Sequence, residues 1–258
     1  MTTTANAYVT FLNTVAETKM NVIKEKNMNP QVFGKEHLIY IGASLLVTFL
    51  VWFLSKRYAR SEKAKAFVIK ISAAILFVII FSNRLALVFE YDTADWLKLL
   101  PDSFCSTSSY VMSIALLFGK KNNNVLHFIW MIALAGGAIT TFYPDFIGQN
   151  PSFLYPSTIL GMMHHTWSMI VVVLMLMLGY LKLDYKKWYC TIIGFTSYLS
   201  FGAFLMCVLD YDNPFYMTAP ALDGTPFTVW GIAPIYIAVY TVVLLVTELV
   251  RRRRNKAL

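Results

Sequence analysis

Charge is scarce in this chain. Asp, Glu, Lys and Arg together make 14% of its 258 residues, against about a quarter in an ordinary soluble domain. Acid is scarcer than base: 14 Asp and Glu face 22 Lys and Arg, a formal net charge of +8. Cysteine is rare too. Three thiols, Cys105, Cys190 and Cys207, make no disulfide framework, which sets aside a small stapled secreted domain. The first 30 residues lack a basic start followed by an apolar run, so no signal peptide is expected. No internal repeat stands out, and no two halves match in their Gly and Pro breaks, which weakens an inverted-repeat transporter. What fills the space is hydrocarbon. The chain is 57% hydrophobic, with mean hydropathy +0.57. Several apolar runs reach spanning length, so this is an all-α, polytopic membrane bundle. In such a protein basic residues report orientation first, and nucleic-acid binding is not expected.

Seven segments qualify as spans, approximately His37–Leu54, Phe67–Phe89, Phe104–Phe118, Val125–Tyr143, Ile159–Leu181, Tyr189–Leu209 and Thr228–Val250. The third is short, so it either begins earlier, at Trp96–Leu100, or tilts. The connections alternate in charge. "SKRYARSEKAK", "GKKNNN", "KLDYKKW" and "RRRRNKAL" carry 5, 2, 3 and 5 Lys/Arg, whereas the opposite loops carry one Lys and seven Asp. The positive-inside rule then places the N-terminus outside and the C-terminus in the cytoplasm. Residues 1–36 read as an extracellular interfacial segment, with Tyr8, Phe11, Leu12, Val15, Val22 and Ile23 at helical spacing; a loose tail reads equally well. Residues 37–250 form the transmembrane domain, and 251–258 a basic cytoplasmic tail.

Polar residues inside the spans are the functional candidates. Arg84 lies two or three helical turns below the outer end of the second span, with Glu90 above it. It is either half of a structural ion pair or a clamp for an anionic group such as a lipid phosphate. The third span opens "PDSFCSTSSY". Its small hydroxyl residues, Ser106 and Ser109 among them, favour close helix packing. Cys105 there is a small hydrophobe, a nucleophile if a base is near, or half of a disulfide with Cys207. Asp145, after the fourth span, is a solvated acid or an orienting partner for a histidine. His127, at the cytoplasmic end of that span, reads as interfacial.

His164 and His165 sit inside the fifth span, in "GMMHHTWSM". Counted from Ile159, His165 is about 9 Å deep at 1.5 Å per residue. Adjacent helix positions point about 100° apart, so the two are expected on different faces. They lack the i, i+4 spacing of a helical zinc pair, and no metal or cofactor is expected. The last span has no Lys for a retinal Schiff base, and the third ends in "GKKNNN" without an acidic–Arg–Tyr motif, so rhodopsin and receptor analogies fail.

Short motifs resemble another family. "LLPDSFCSTSS" is similar to the Leu-Pro-x-x-Leu-Cys segment of the YwaF-type bacterial integral membrane proteins. "FYPD" resembles their Pro-Asp after the fourth span, and "MMHHTWSMIVVVLMLM" their Ser-His-Gly segment and its apolar run. "DNPFYMTAPALDG" resembles their Asn-Tyr loop before the last helix. The resemblance covers roughly residues 75–250. That group is similar to eukaryotic transmembrane protein 164, a phospholipid acyltransferase thought to use a Cys and a His, and more distantly to the androgen-induced type of membrane hydrolase.

The resemblance implies Cys105 as nucleophile, His165 as base and a multi-pass plasma-membrane location. Two positions depart from it. Ser103 stands where many members have a His, and His164 where they have Ser. The chemistry implied is acyl transfer or hydrolysis of a lipid ester at the outer leaflet. Ser106 to Ser109, or a backbone N–H at the helix start, would hold the oxyanion and Arg84 the lipid phosphate. Asp145 and His164 would complete the binding region. The partner is a phospholipid or other membrane lipid; the sequence indicates no protein partner. A non-enzymatic membrane subunit or transporter-like protein is the alternative, with Arg84, Asp145 and the histidines as a structural network.

Overall fold

The computed structural model describes residues 30–90, 93–144, 146–221 and 224–256. All regular elements among them are helical. They are α1 (Lys35–Tyr58), α2 (Glu62–Val88), α3 (Phe104–Phe118), α4 (Asn124–Phe142), α5 (Pro156–Met177), α6 (Tyr189–Leu209) and α7 (Val229–Lys256). Short 3-10 turns lie at Trp96–Leu99, Tyr185–Lys187 and Pro214–Tyr216. The interfacial segment read over residues 1–36 lies, as far as Asn29, outside the described residues.

Local chemistry sets the helix ends. Ser61 accepts from the Ala64 N–H at 3.1 Å to start α2, and Asn123 accepts from the Leu126 N–H at 3.0 Å to start α4. Pro156 opens α5, where its missing N–H costs nothing. Asp210, left-handed at φ 57°, closes α6.

Among the described residues, six helices are long and apolar enough to cross a bilayer. The exception is α3, with 15 residues, where a span needs about 20. The Trp96–Leu99 turn does not extend it. Leu100 is extended (φ −74°, ψ 135°) because Pro101 pushes its predecessor out of the helical region. Ser103 then starts α3 afresh through a capping box with Ser106.

The centre of the bundle is α5. Of its most apolar stretch 61% is buried, against 11% for α1. Four helices close a cell: α2 packs on α3, α3 on α4, α4 on α5 and α5 back on α2. Outside the cell, α1 lies on α5, α6 on α4, and α7 lightly on α6. Two tyrosines tie α7 inward: Tyr240 donates to the His127 carbonyl at 2.6 Å and Tyr236 to the Phe128 carbonyl at 2.9 Å. Leu76, Met112, Leu116, Ile129 and Val171 are fully buried between helices. The outward faces carry large exposed apolar side chains, such as Leu46 and Phe49 on α1, Val78 on α2, Ile193 on α6 and Leu249 on α7. A girdle of this kind faces lipid.

The up-and-down order brings the basic segments to one end. Lys121 pairs with Glu62 at 2.8 Å, Lys187 donates to Asn124 at 2.8 Å, and Arg252 lies 6.0 Å above the Tyr185 ring. His127 at this end is fully buried, not interfacial. Its Nε2 sits 3.1 Å from the Asn122 side-chain oxygen. The ends of α2 and α4 and the starts of α3 and α5 meet at the opposite end.

Helix approach inside the cell is closest at Gly137 of α4. A Cβ there would come within 2.6 Å of the His165 carbonyl oxygen, which is backbone and cannot swing away. Gly42 of α1 has nothing within 4 Å of such a Cβ. Gly137→Val is expected to lower thermal stability in detergent by about 1–3 kcal/mol, with Gly42→Val within about 0.5 kcal/mol of wild type. Equal melting of the two variants would show that α4 and α5 are not in backbone contact.

Candidate functional site

At the end of the cell opposite the basic segments lies a polar cavity of about 180 Å³. The last turns of α2 contribute Asn83 and Arg84, Glu90 follows just past its cap, and the cap of α3 contributes Ser103 and Ser106. The α4–α5 connection adds Phe146 and Asn150, and α5 adds Ser157, His164 and His165. Up-down connectivity explains the convergence: each of these elements ends or begins here.

Arg84 is buried, with its side chain 6% exposed, and it pairs with Asp102 at 3.1 Å. Its other terminal nitrogen donates to the Leu100 carbonyl. The Nε has no partner in the structure. The ion pair anticipated for this residue is therefore present, and the partner comes from the segment that precedes α3. Beside it, Asn83 donates to the Ser157 carbonyl at 3.0 Å. The Ser157 hydroxyl donates to Glu90 at 2.7 Å, and Asn150 donates to Thr158 at 2.9 Å. This second network ties α2 to the start of α5.

The serines of α3 divide by face. Ser103 and Ser106 share a 2.8 Å hydrogen bond as the helix cap, so Ser103 is a structural start signal in this chain. Ser108 shares a 2.9 Å bond with Tyr198 of α6. Ser109 points the other way. It donates to the Cys105 carbonyl at 2.9 Å, lies 2.8 Å from Ser168 and 3.4 Å from His164 Nδ1. Ser109 thereby ties α3 to Ser168 and His164 of α5.

Contrary to the helical-wheel expectation, His164 and His165 are together. Both are buried, both line the cavity, and their ring centroids are 4.0 Å apart. The cavity fills a corner of the cell, and two faces of α5 about 100° apart both abut that corner. His165 also lies 6.4 Å from the Phe146 ring.

Cys105 is half-buried and does not line the cavity. Its sulfur lies against α4, where a Cβ at Gly136 would meet it at 2.6 Å. The neighbouring Gly137 takes the His165 backbone, so the Gly-Gly step draws both candidate residues onto α4. Cys207 is exposed, and no disulfide joins it to Cys105. Asp145 lies outside the described residues. Thr196 and Ser197 of α6 are exposed and donate back to the carbonyls of Ile192 and Ile193, so they do not reach the cavity.

Sequence reading missed Asp102, Asn83, Asn150 and Ser157. Asp102 carried a usable signal, as the acid just before the capped start of α3. It also missed His37 of α1, which is fully buried and sits 3.0 Å from the Thr141 carbonyl through Nε2.

These features define a class: a multi-pass helical membrane protein with polar groups gathered at one end of a closed four-helix cell. The TMEM164 family model matches residues 32–250, from ahead of α1 to well inside α7, and the chain belongs to that family. No curated protein and no solved structure matches it.

Removing one partner of a buried ion pair costs about 3–5 kcal/mol, because the other charge stays behind. Asp102 is 30% exposed, so Asp102→Ala is expected to cost less, about 2–3 kcal/mol in detergent. Arg84→Met/Asp102→Leu should recover most of that loss, since neither charge remains. A double variant as unstable as the sum of the single ones would show that Arg84 and Asp102 are not coupled.

Proposed function

We propose that the chain is a lipid acyltransferase or lipid-ester hydrolase working through Cys105 and the His164–His165 pair. The supporting observation is the inner face of α3. Ser109 lies on it one turn after Cys105, bonds to the Cys105 carbonyl and touches His164, whose ring stands 4.0 Å from that of His165. The Cys and His roles are those implied by the motif resemblance, in a chain that belongs to the TMEM164 family. In this reading all seven helices cross the bilayer, with the short α3 reaching the surface through the Pro101 segment. The cavity end faces outward, because the basic segments gather at the other end.

The chemistry is nucleophilic catalysis. His165 takes the Cys105 proton, and the thiolate attacks the ester carbonyl carbon of a membrane lipid. His164, held through Ser109, orients its neighbour. The ester C–O bond breaks, and His165 returns the proton to the departing alcohol, leaving an acyl thioester on Cys105. An acceptor hydroxyl, of a second lipid or of water, then gives its proton to His165 and attacks the thioester, which restores the thiol. The oxyanion falls to a backbone N–H at the start of α3, since the Ser106 hydroxyl is already spent on the Ser103 carbonyl. The Arg84 Nε faces the lipid phosphate. Asp145 keeps the headgroup-binding role that the motif resemblance implies, and it lies outside the described residues.

One observation favours a second reading. Both terminal nitrogens of Arg84 are already engaged by Asp102 and Leu100, as in a closed structural network. Purified protein in mixed micelles separates the readings. A phospholipid with a fluorescent acyl chain should label wild type covalently and transfer its chain to an acceptor. Cys105→Ala should abolish the label. His165→Ala should lower turnover about 100-fold to 10,000-fold, and His164→Ala should lower it less. Equal labelling of wild type, Cys105→Ala and His165→Ala would remove the enzymatic reading and leave the structural one.

A further inference from the structure

A groove of about 500 Å³ runs along the outside of the cell where α3, α4 and α6 meet. That lies within the roughly 300–1,000 Å³ typical of ligand sites. Its walls are mainly apolar: Val111 of α3, Val125, Phe128 and Ile129 of α4, and Ile193 and Phe201 of α6. We propose that the groove holds one acyl chain of a membrane lipid, lying along α6 with its ester end at the α3–α4 seam beside Cys105.

The dimensions select the occupant. Lining residues on α6 run from Tyr189 to Phe201, about 18 Å at 1.5 Å rise per residue. That is close to the depth of one leaflet, half of a hydrocarbon core of about 30 Å. A trough of this length, apolar along its walls and open to the surrounding lipid, suits a single hydrocarbon chain entering from the bilayer. Its mouth is at the lipid-facing surface, where Ile193 is 60% exposed.

The floor is built for an apolar guest. A Cβ at Gly194 would fall 2.1 Å from the Phe128 ring. Glycine there lets the ring lie flat against the α6 backbone instead of plugging the trough. The Tyr198 hydroxyl is turned to Ser108, so Tyr198 presents its ring. The groove also leads to the candidate nucleophile. Thr107, two residues beyond Cys105, lines it. Phe104, one residue before Cys105, stacks on Tyr198 with centroids 5.9 Å apart. The Cys105 sulfur sits at Gly136 in the same α3–α4 seam. The direction assigned to the chain rests on the proposed function; occupancy of the groove does not.

The test uses full-length protein in phosphatidylcholine vesicles. A fraction of the lipid carries a photoactivatable diazirine near the end of one acyl chain, and crosslinked residues are read by mass spectrometry. Crosslinks should concentrate on Val125, Ile193 and Ser197. Ser197→Trp, which fills the trough, should lower them about ten-fold. Ile192→Trp places the same bulk on the neighbouring lipid-facing position and should leave them unchanged. Should Ser197→Trp fail to fold, Val125→Trp fills the trough from the opposite wall and should give the same loss. Crosslinks spread evenly over the outer face of α6, or unchanged by the filling variants, would overturn the site; so would capture of a second protein's helix there. Cys105→Ala should keep the crosslinks whether or not the protein turns lipid over. Loss of turnover in that variant therefore tests the catalytic reading alone.

Discussion

Arg84 lies among apolar helices with an Asp102 oxygen and the Leu100 carbonyl as its partners. A guanidinium in this position cannot be left to hydrocarbon, because nothing there replaces its lost hydration. The chain answers by folding the segment ahead of α3 back over the end of α2. The cost is length. Residues that would have extended α3 are used at Pro101 and Asp102 to close the Arg84 site, and α3 starts only at Phe104. The capping box at Ser103 and Ser106, and with it the position of Cys105, follows from where that segment stops.

The rest of the cell is shaped by the same need to satisfy polar groups inside the protein. On α5 almost every polar side chain finds a partner on another helix or on the α4–α5 connection. Ser157 meets Asn83 and Glu90, His164 meets Ser109, Thr166 meets Tyr40 and Thr141, and the Trp167 indole donates to the Ser72 carbonyl. Such contacts require close helix approach, and Gly136 and Gly137 supply it on α4. The central position of α5 is thus a consequence of its polar stripe, not of unusual hydrophobicity.

Seen this way, α3 has two working faces. Ser106 and Ser109 look into the polar cell, whereas Thr107 and Val111 look onto the apolar groove. Cys105 stands at the boundary between them, against α4. In the proposed reaction the ester bond would lie at that boundary, with the headgroup toward Arg84 and the chain toward α6. A lipid ester has this division in its own structure: polar on one side of the carbonyl, hydrocarbon on the other.

Much of the architecture was legible in the residues alone. Long apolar runs and alternating loop charge can be read without coordinates, whereas the caps at Ser61 and Asn123 emerged only from the structure. That the second and fifth spans would bring Arg84 and the histidines to one end also followed, because up-down connectivity leaves no choice of level. Rotation about each helix axis was another matter. The wheel separated His164 from His165, yet the cavity spans a corner wide enough for both. Cys105 was legible as part of the start of the third helix, but its direction toward Gly136 depends on how closely α3 and α4 approach. The partner of Arg84 was open between several acids until the Pro101 break turned Asp102 inward. Sequence by itself therefore determined the helical class and the approximate extent of the helices, because these are set by local chemistry and by the bilayer as solvent. Only tertiary structure decided facing and pairing, because these depend on which helices touch and how near they come.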